Sequence, residues 1–331
     1  MSTPRHERPI RLGTRRSHLA VTQSTHVADA LRARGHEVEL VEVTTEGDIN
    51  LAPLAQMGGT GVFAAALRQA LLSGEVDMAV HSLKDLPVAR EPGLVVAGIP
   101  TREDPRDILV ARDGLTLGEL PAGAVVGTGS PRRAAQLQAL GLGLEIRDIR
   151  GNIDTRMGFV TKGEMDAVVL ARAGLARVGR TDEASETIDP LQMLPAPGQG
   201  ALALECREDD EVTRAVLAEL DDADTRAAVT AERAVLDALE AGCAAPVGAL
   251  AEIVEEPDGT LEISLRAFVG ATDGSLELRR SEVGPYDDPQ GIGERLARTL
   301  LDDGAAAVIP PREPRQQTPR VETTTESERS K

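Results

Sequence analysis

The stretch AVVGTGSPRRAAQLQALGLGLEIRDIR, residues 124–150, reads as one strand–helix–strand unit. Ala124–Gly127 is a short apolar strand and Gly127-Thr128-Gly129-Ser130 a turn. Pro131–Leu140 has helical spacing, and Leu144–Ile149 is the next strand. Short apolar runs separated by helical patterns are the signature of α/β layering, with largely parallel strands.

The same alternation extends outward on both sides. Upstream, Ile10–Gly13 is a strand. A helix follows from about Ser17, a plausible N-cap, to Arg34, with Gly35 where a helix stops. Val38–Val43 is a strand, Phe63–Leu72 a helix, and Val76–Val80 a strand that runs into His81-Ser82-Leu83-Lys84-Asp85. The Gly-rich stretch Thr44–Gly61 between them is long for a loop, which points to function or mobility. Downstream, Asn152–Lys162 is a helix, Ala167–Leu170 a strand and Arg172–Val178 a helix. The Pro/Gly-rich segment Pro190–Gly200 then crosses to Ala201–Glu205, a strand placed to rejoin the first set.

The pattern changes after Asp221. A helix over about Thr225–Glu240 precedes Gly242-Cys243. Three strands follow, Val247–Val254, Leu261–Val269 and Ser275–Val283, with turn signals at Asp258-Gly259 and Asp273-Gly274 and a closing helix Ile292–Leu301. The division expected is therefore 1–100 with 200–219 as a discontinuous α/β domain and 101–199 as a second α/β domain. A small α+β domain covers 220–309, and 310–331 is a polar tail expected to be disordered.

Composition removes several function classes. The 331 residues carry 54 acidic and 36 basic side chains, a net charge of −18 with pI near 4.8. Such a chain is a poor general ligand for nucleic acid or anionic membranes. With aromatics at 1% it has no stacking platform for single-stranded bases. No apolar run approaches the ~18 residues of a membrane span. Met1–Arg16 has no apolar h-region, so no signal peptide is expected. Two cysteines, Cys206 and Cys243, make neither a disulfide scaffold nor a Cys-rich zinc site. Lysine occurs only at Lys84, Lys162 and Lys331. An acidic surface with so little lysine leads us to expect a halophile, with a high-salt cytoplasm.

The arginines concentrate after predicted strands. Arg15 follows the first. Arg132 and Arg133 follow the turn at 127–130, Arg150 follows Leu144–Ile149, and Arg156 lies one helical turn further on. Arg177 lies beyond Ala167–Leu170. Ligands of open α/β sheets bind beyond the carboxyl ends of strands, and the guanidinium fork matches a carboxylate. The pattern predicts a deep site for a ligand with several negative charges; taken singly, each arginine also fits ordinary surface decoration. The Gly127–Ser130 turn lacks both the Gly-Lys-Ser/Thr ending of a phosphate loop and the dinucleotide G-x-G-x-x-G spacing, so it reads as a generic anion-binding turn. His81–Asp85 sets an acid, a cation and a hydroxyl at a strand end. Cys243, in Ala241-Gly242-Cys243-Ala244-Ala245-Pro246, has small neighbours that leave a thiol open to covalent chemistry. Cys206 ends an apolar strand and reads as a buried small hydrophobe.

Six short segments, in this order, carry a resemblance. They are Thr14-Arg15-Arg16-Ser17, Ala79-Val80-His81-Ser82-Leu83-Lys84-Asp85-Leu86-Pro87, Arg102-Glu103-Asp104-Pro105-Arg106-Asp107, Ile149-Arg150-Gly151-Asn152, Pro195-Ala196-Pro197-Gly198-Gln199-Gly200 and Glu240-Ala241-Gly242-Cys243. From about Ile10 to Ile309 the chain resembles the porphobilinogen deaminase (hydroxymethylbilane synthase) family. The resemblance implies two α/β domains like type II periplasmic binding proteins, plus a small C-terminal α+β domain. It implies a dipyrromethane cofactor held through a thioether, here at Cys243. On this primer, porphobilinogen units are joined with loss of ammonia, and hydroxymethylbilane is released by hydrolysis. Loss of ammonia leaves an azafulvenium cation, which Asp85 would stabilise with Lys84 assisting. Porphobilinogen carries acetate and propionate. Arg15, Ser17, Ser82, Lys84, Thr128, Ser130, Arg132, Arg133, Arg150, Arg156 and Gln199 match cofactor- and substrate-contacting positions. Arg177 matches too, and Phe63 matches an aromatic position near the substrate pyrrole. The resemblance further implies a cytoplasmic monomer, with uroporphyrinogen-III synthase acting downstream. The chain departs from the family's loop pattern Leu-Ala-Lys-x-Gly-Gly-Lys-Gly, with neutral Gln56 and Thr60 at the two lysine positions.

Two other readings suit parts of the pattern. A solute receptor would use the two α/β lobes, but the Cys243 domain and the expected lack of a signal peptide oppose it. A regulatory ligand-binding domain of a transcription factor is opposed by the charge and by the lack of a helix-turn-helix.

Overall fold

The computed structural model describes residues 8–44, 61–242 and 245–309. Cys243, Gln56, Thr60, the side chain of Phe63 and the tail 310–331 lie outside the described residues.

The first unit opens with β1 (Ile10–Thr14), α1 (His18–Arg32) and β2 (Val38–Glu42). Ser17 caps α1, its hydroxyl accepting from the Ala20 N–H at 3.3 Å, because the first turn of a helix leaves donors without partners. Then come α2 (Gly61–Leu72), β3 (Met78–Ser82) and β4 (Leu94–Gly98). The second unit holds β5 (Asp107–Ala111), β6 (Val125–Gly127), α3 (Pro131–Ala139), β7 (Glu145–Arg147), α4 (Ile153–Thr161), β8 (Ala167–Ala171), α5 (Arg172–Arg177) and β9 (Glu186–Thr187). The chain returns through β10 (Leu202–Arg207) and α6 (Glu211–Ala218). It ends in α7 (Ala223–Ala238), β11 (Val247–Glu255), β12 (Leu261–Gly270), β13 (Glu277–Pro285) and α8 (Pro289–Asp302).

The strand order of the first sheet is β2-β1-β3-β10-β4 and that of the second is β7-β6-β8-β5-β9. These are the same pattern. In each, the first strand lies between the second and third, and a strand contributed by the crossover sits between the third and the last. This is the binding-protein arrangement expected. The expectation of largely parallel strands needs correction, since both sheets are mixed. β10 runs antiparallel to β3 and β4, and β5 antiparallel to β8 and β9. The reason is the crossover. A strand arriving from the opposite lobe enters its sheet from the far end. Strands β4, β5 and β9 and helix α6 were not anticipated, because each is short or begins on charged residues.

The third unit is an antiparallel sheet, β11-β12-β13, covered by α7 and α8. Its turns fall at the expected Asp-Gly pairs. Two small apolar clusters join it to the lobes. Leu83, Leu86, Ile99, Ala201 and Ala203 pack on Val229 of α7. Ala135 and Leu194 pack on Leu250 and Phe268. Phe268 is fully buried, and a side chain of this kind contributes roughly 1.5–3 kcal/mol through burial.

The two lobe-to-lobe crossings run against each other. A Cβ on Gly200 would come within 2.3 Å of the Glu103 carbonyl oxygen, and Gly200 has φ +89°, so no other residue fits there. Arg102 spans the junction. Its Nε donates to the Gln199 carbonyl at 2.7 Å, and its two terminal nitrogens donate to the Glu232 carboxylate at 2.6 and 2.9 Å. Glu232, fully buried on α7, also accepts from the backbone N–H of Gly198 at 2.7 Å and of Ala251 at 2.9 Å. One carboxylate thus ties both crossings to the third unit. Removing one partner of a buried pair leaves an uncompensated charge, which costs about 3–5 kcal/mol. Glu232→Gln is expected to lose about that much stability in urea denaturation; a loss below about 1 kcal/mol would show that the node is not a structural tie.

Candidate active site

The site is organised from Asp107, the first residue of β5. Its side chain is fully buried between two adjacent arginines of α3. Arg132 Nη1 donates to one carboxylate oxygen at 2.7 Å. Arg133 donates to the other from Nε at 3.1 Å and Nη2 at 2.8 Å. Burial alone would raise the Asp107 pKa; the two guanidinium groups overcome this and hold it well below the ordinary carboxylate range. Arg132 also donates to the Leu194 carbonyl at 2.6 Å, and Arg133 to the Val169 carbonyl at 2.8 Å. Both arginines are buried, and the buried Nε of Arg132 has no hydrogen-bond partner among the described residues.

Gln199 carries the arrangement across the junction. Its amide donates to Asp107 at 2.8 Å and to the Pro105 carbonyl at 2.7 Å, while its Oε1 accepts from Lys84 Nζ at 3.3 Å. Lys84 and Asp85 sit on the single 3₁₀ turn Leu83–Asp85 after β3. Burial pushes the Lys84 ammonium down to about 8. Arg133 and Arg132 push the same way, against Asp85 and Asp107. Asp85 itself is exposed.

Arg156, on α4, donates from Nε to the Gly151 carbonyl at 2.8 Å. Its pKa is lowered by burial first, then by repulsion from Arg133, with Asp85 and Asp148 opposing and Arg150 adding to the depression. Arg150 is exposed and lies 3.7 Å from Asp148. Lys84, Asp85, Arg132, Arg133, Arg150 and Arg156 therefore share one electrostatic neighbourhood. Thr128 is buried in the turn after β6, where its hydroxyl accepts from the Ser130 N–H at 3.2 Å, and Ser130 caps α3. Arg15 is half-buried just beyond β1. Ser82, at the end of β3, pairs with Gln23 of α1 at 3.2 Å. Arg177 stands apart, its Nη2 donating to the Gly200 carbonyl at 2.6 Å, so its charge serves the crossing. Burial lowers its pKa. Cys206 is a buried thiol pushed up to about 12 by burial.

Three residues assigned no role from the sequence organise this site and its junction: Arg102, Asp107 and Glu232. A signal was present for two. Asp107 heads the apolar run Ile108-Leu109-Val110, and Glu232 lies among Ala228, Val229, Ala231 and Val235 on an apolar helix face. A carboxylate on a buried face must have a partner.

The sequence matches two family models. Residues 10–215 match the model described as porphobilinogen deaminase, dipyromethane cofactor binding domain, and residues 226–302 the porphobilinogen deaminase C-terminal domain. The chain belongs to the porphobilinogen deaminase family. A porphobilinogen deaminase of Mycobacteroides abscessus is 62% identical over 304 residues, 91% of this chain and 99% of that protein. One of Mycobacterium tuberculosis is 61% identical, covering 91% and 98%. These mycobacterial relatives lend the expected high-salt habitat no support. Among solved structures, a putative methionine-binding lipoprotein of Bacillus subtilis shares 15% identity with a TM-score of 0.40, over 64% of this chain and 89% of that one. An amino acid transporter substrate-binding domain of Streptococcus pneumoniae shares 16% at a TM-score of 0.40, over 64% and 91%. The lobe architecture rests on the two strand orders. Porphobilinogen deaminase activity in tetrapyrrole biosynthesis, with porphobilinogen as substrate, follows from family membership, as does a dipyrromethane-binding domain. No described helix is long and apolar enough to cross a membrane.

The Lys84 environment makes a prediction. Its ammonium is present below its folded value and lost above it. Bound carboxylates raise the value that burial sets. The kcat/KM of the holoenzyme is therefore expected to fall on the alkaline side with a midpoint between about 8 and the ordinary 10.5. In Lys84→Arg, whose cation does not titrate there, that limb should disappear. An unchanged limb would place the titrating group elsewhere.

Proposed function

We propose that Cys243 holds the dipyrromethane through a thioether, and that the cations around Lys84 and Arg156 hold the carboxylates of cofactor and substrate. The observation that carries this reading is electrostatic. Lys84, Arg132, Arg133, Arg150 and Arg156 outnumber Asp85, Asp107 and Asp148, and burial and mutual repulsion disfavour the charge of Lys84 and Arg156. Asp107 is already neutralised by two guanidiniums. A neighbourhood with excess cations, several of them partly or fully buried, and an orphaned Arg132 Nε fits a group bearing several carboxylates. When bound, the dipyrromethane supplies the primer pyrrole to which substrate units are joined.

The chain's own residues then divide the work. Asp85, exposed at the tip of its turn, accepts from the substrate pyrrole N–H and stabilises positive charge spreading onto that ring as ammonia departs. Burial disfavours the Lys84 charge, so its ammonium gains a counter-charge by donating to an incoming carboxylate as well as to Gln199. Arg15, Arg150 and Arg156 are the remaining carboxylate partners, with hydroxyls from Ser17, Ser82, Thr128 and Ser130 around them. In this reading Arg132 and Arg133 act partly through Asp107, and Arg177 and Gln199 partly through the crossing. The family resemblance assigns Phe63 to the substrate pyrrole in the same reading.

The division into 1–100 with 200–219, 101–199 and 220–309, followed by a tail at 310–331, belongs to the same reading. So does a monomer in the cytoplasm, with uroporphyrinogen-III synthase next in sequence. The mixed sheets support the first division, and the buried thiol of Cys206 suits a reducing compartment.

Two variants test the assignments. Cys243→Ala is expected to show the bare sequence mass and no colour with Ehrlich's reagent. Asp85→Asn should keep the cofactor mass and lose at least about 100-fold in kcat. A coloured Cys243→Ala protein, or full activity in Asp85→Asn, would overturn the corresponding role.

A further inference from the structure

The turn that carries Lys84 and Asp85 is held from the third unit. Arg233, on α7, donates from Nη1 to the carbonyls of Leu83 and Leu86, both at 3.0 Å, and from Nη2 to the carbonyl of Pro87 at 2.8 Å. Within the lobe the turn has two further backbone ties. The Leu83 N–H donates to the Ala201 carbonyl at 3.0 Å, and the Leu86 N–H to Leu83 at 3.2 Å. A cavity of about 360 Å³ lies between lobe and α7, lined by Leu83, Leu86, Pro87, Val229 and Arg233 among others. Of the charged side chains lining it, Arg68 pairs with Glu205, and Arg226 pairs with Asp221 outside it. Leu83 and Leu86 are buried against Val229, and beside that contact the turn's backbone is held by hydrogen bonds, a planar guanidinium fork reaching three acceptors at once.

We infer that Arg233 is a positioning residue for the reaction, holding the Leu83–Pro87 segment so that Asp85 and Lys84 meet the substrate in register. The inference rests on the proposed roles of those two residues. It also explains a pairing on α7. Glu232 grips the two crossings and the adjacent Arg233 grips the acid-bearing turn, on the helix that leads to Cys243. The unit proposed to carry the cofactor thereby sets the place of the acid.

The test uses holoenzyme variants Arg233→Gln and Arg233→Lys, with Asp85→Asn alongside. Misplacement of a reacting group by about 1 Å can cost about 100-fold. Arg233→Gln is expected to keep the cofactor mass and lose roughly 10–100-fold in kcat, with KM changed less than about threefold. A looser turn hydrates Lys84, while the groups that face it, Asp85, Asp107, Arg132 and Arg133, keep their charges. The alkaline limb of kcat/KM should therefore move up in pH. Arg233→Lys keeps a donor without the fork and should fall between Gln and the natural protein, about 3–10-fold down; it carries the test if Arg233→Gln does not fold. Natural kcat and an unmoved limb in the folded variant would overturn the inference, even with a lowered melting temperature. If Asp85→Asn is inactive in that case, only the positioning role fails. If Asp85→Asn is fully active, the proposed function fails, and the inference with it.

Discussion

Everything at the site follows from the burial of one carboxylate. Asp107 enters a fully dehydrated position at the start of β5, and the cost of burying a lone charge forces Arg132 and Arg133 inward to meet it. The two arginines then leave no room for a neutral environment around Lys84. Their repulsion adds to the burial that lowers its pKa. Gln199 fills the remaining acceptor site on Asp107 and turns its own oxygen toward Lys84. A chain of hydrogen bonds thus runs from lobe two, through the crossing, to lobe one.

A second buried carboxylate does the same work for the architecture. Glu232 gathers Arg102, Gly198 and Ala251, one from each crossing and one from the third unit. Neither carboxylate is on the surface, where ion pairs contribute little. Both sit where the backbone changes domain. There, small apolar clusters alone, such as Leu194 and Phe268, would let the units slide.

Much of this was legible in residue order. The strand–turn–helix reading of residues 124–140 holds within a residue, and Ser17 caps its helix as read. Short apolar runs show themselves because both faces of their strands are covered. The direction of β5 and β10 did not show, since a strand's sequence is the same whichever way it enters a sheet. The arginines after strands were visible as a cluster in sequence. What they touch was not. Arg132 and Arg133 spend their hydrogen bonds on Asp107 and two carbonyls, and Arg177 spends one on Gly200, because backbone acceptors at a crossing leave no residue-type signature. Arg233 was invisible for the same reason, as the partners it finds in the first lobe are carbonyls.

The net charge of −18 belongs to the whole chain, whereas the neighbourhood of Lys84 and Arg156 holds more cations than carboxylates. The central claim is that this protein selects its substrate by its carboxylates, through clustered cations that lack enough counter-charge of their own. The most direct measurement compares holoenzyme kcat/KM for porphobilinogen and for its carboxyl-methylated diester, whose aminomethyl group is intact. Two charge-assisted contacts at about 1.5–3 kcal/mol each predict a loss of at least about 100-fold for the diester. Equal turnover of acid and ester would contradict the account.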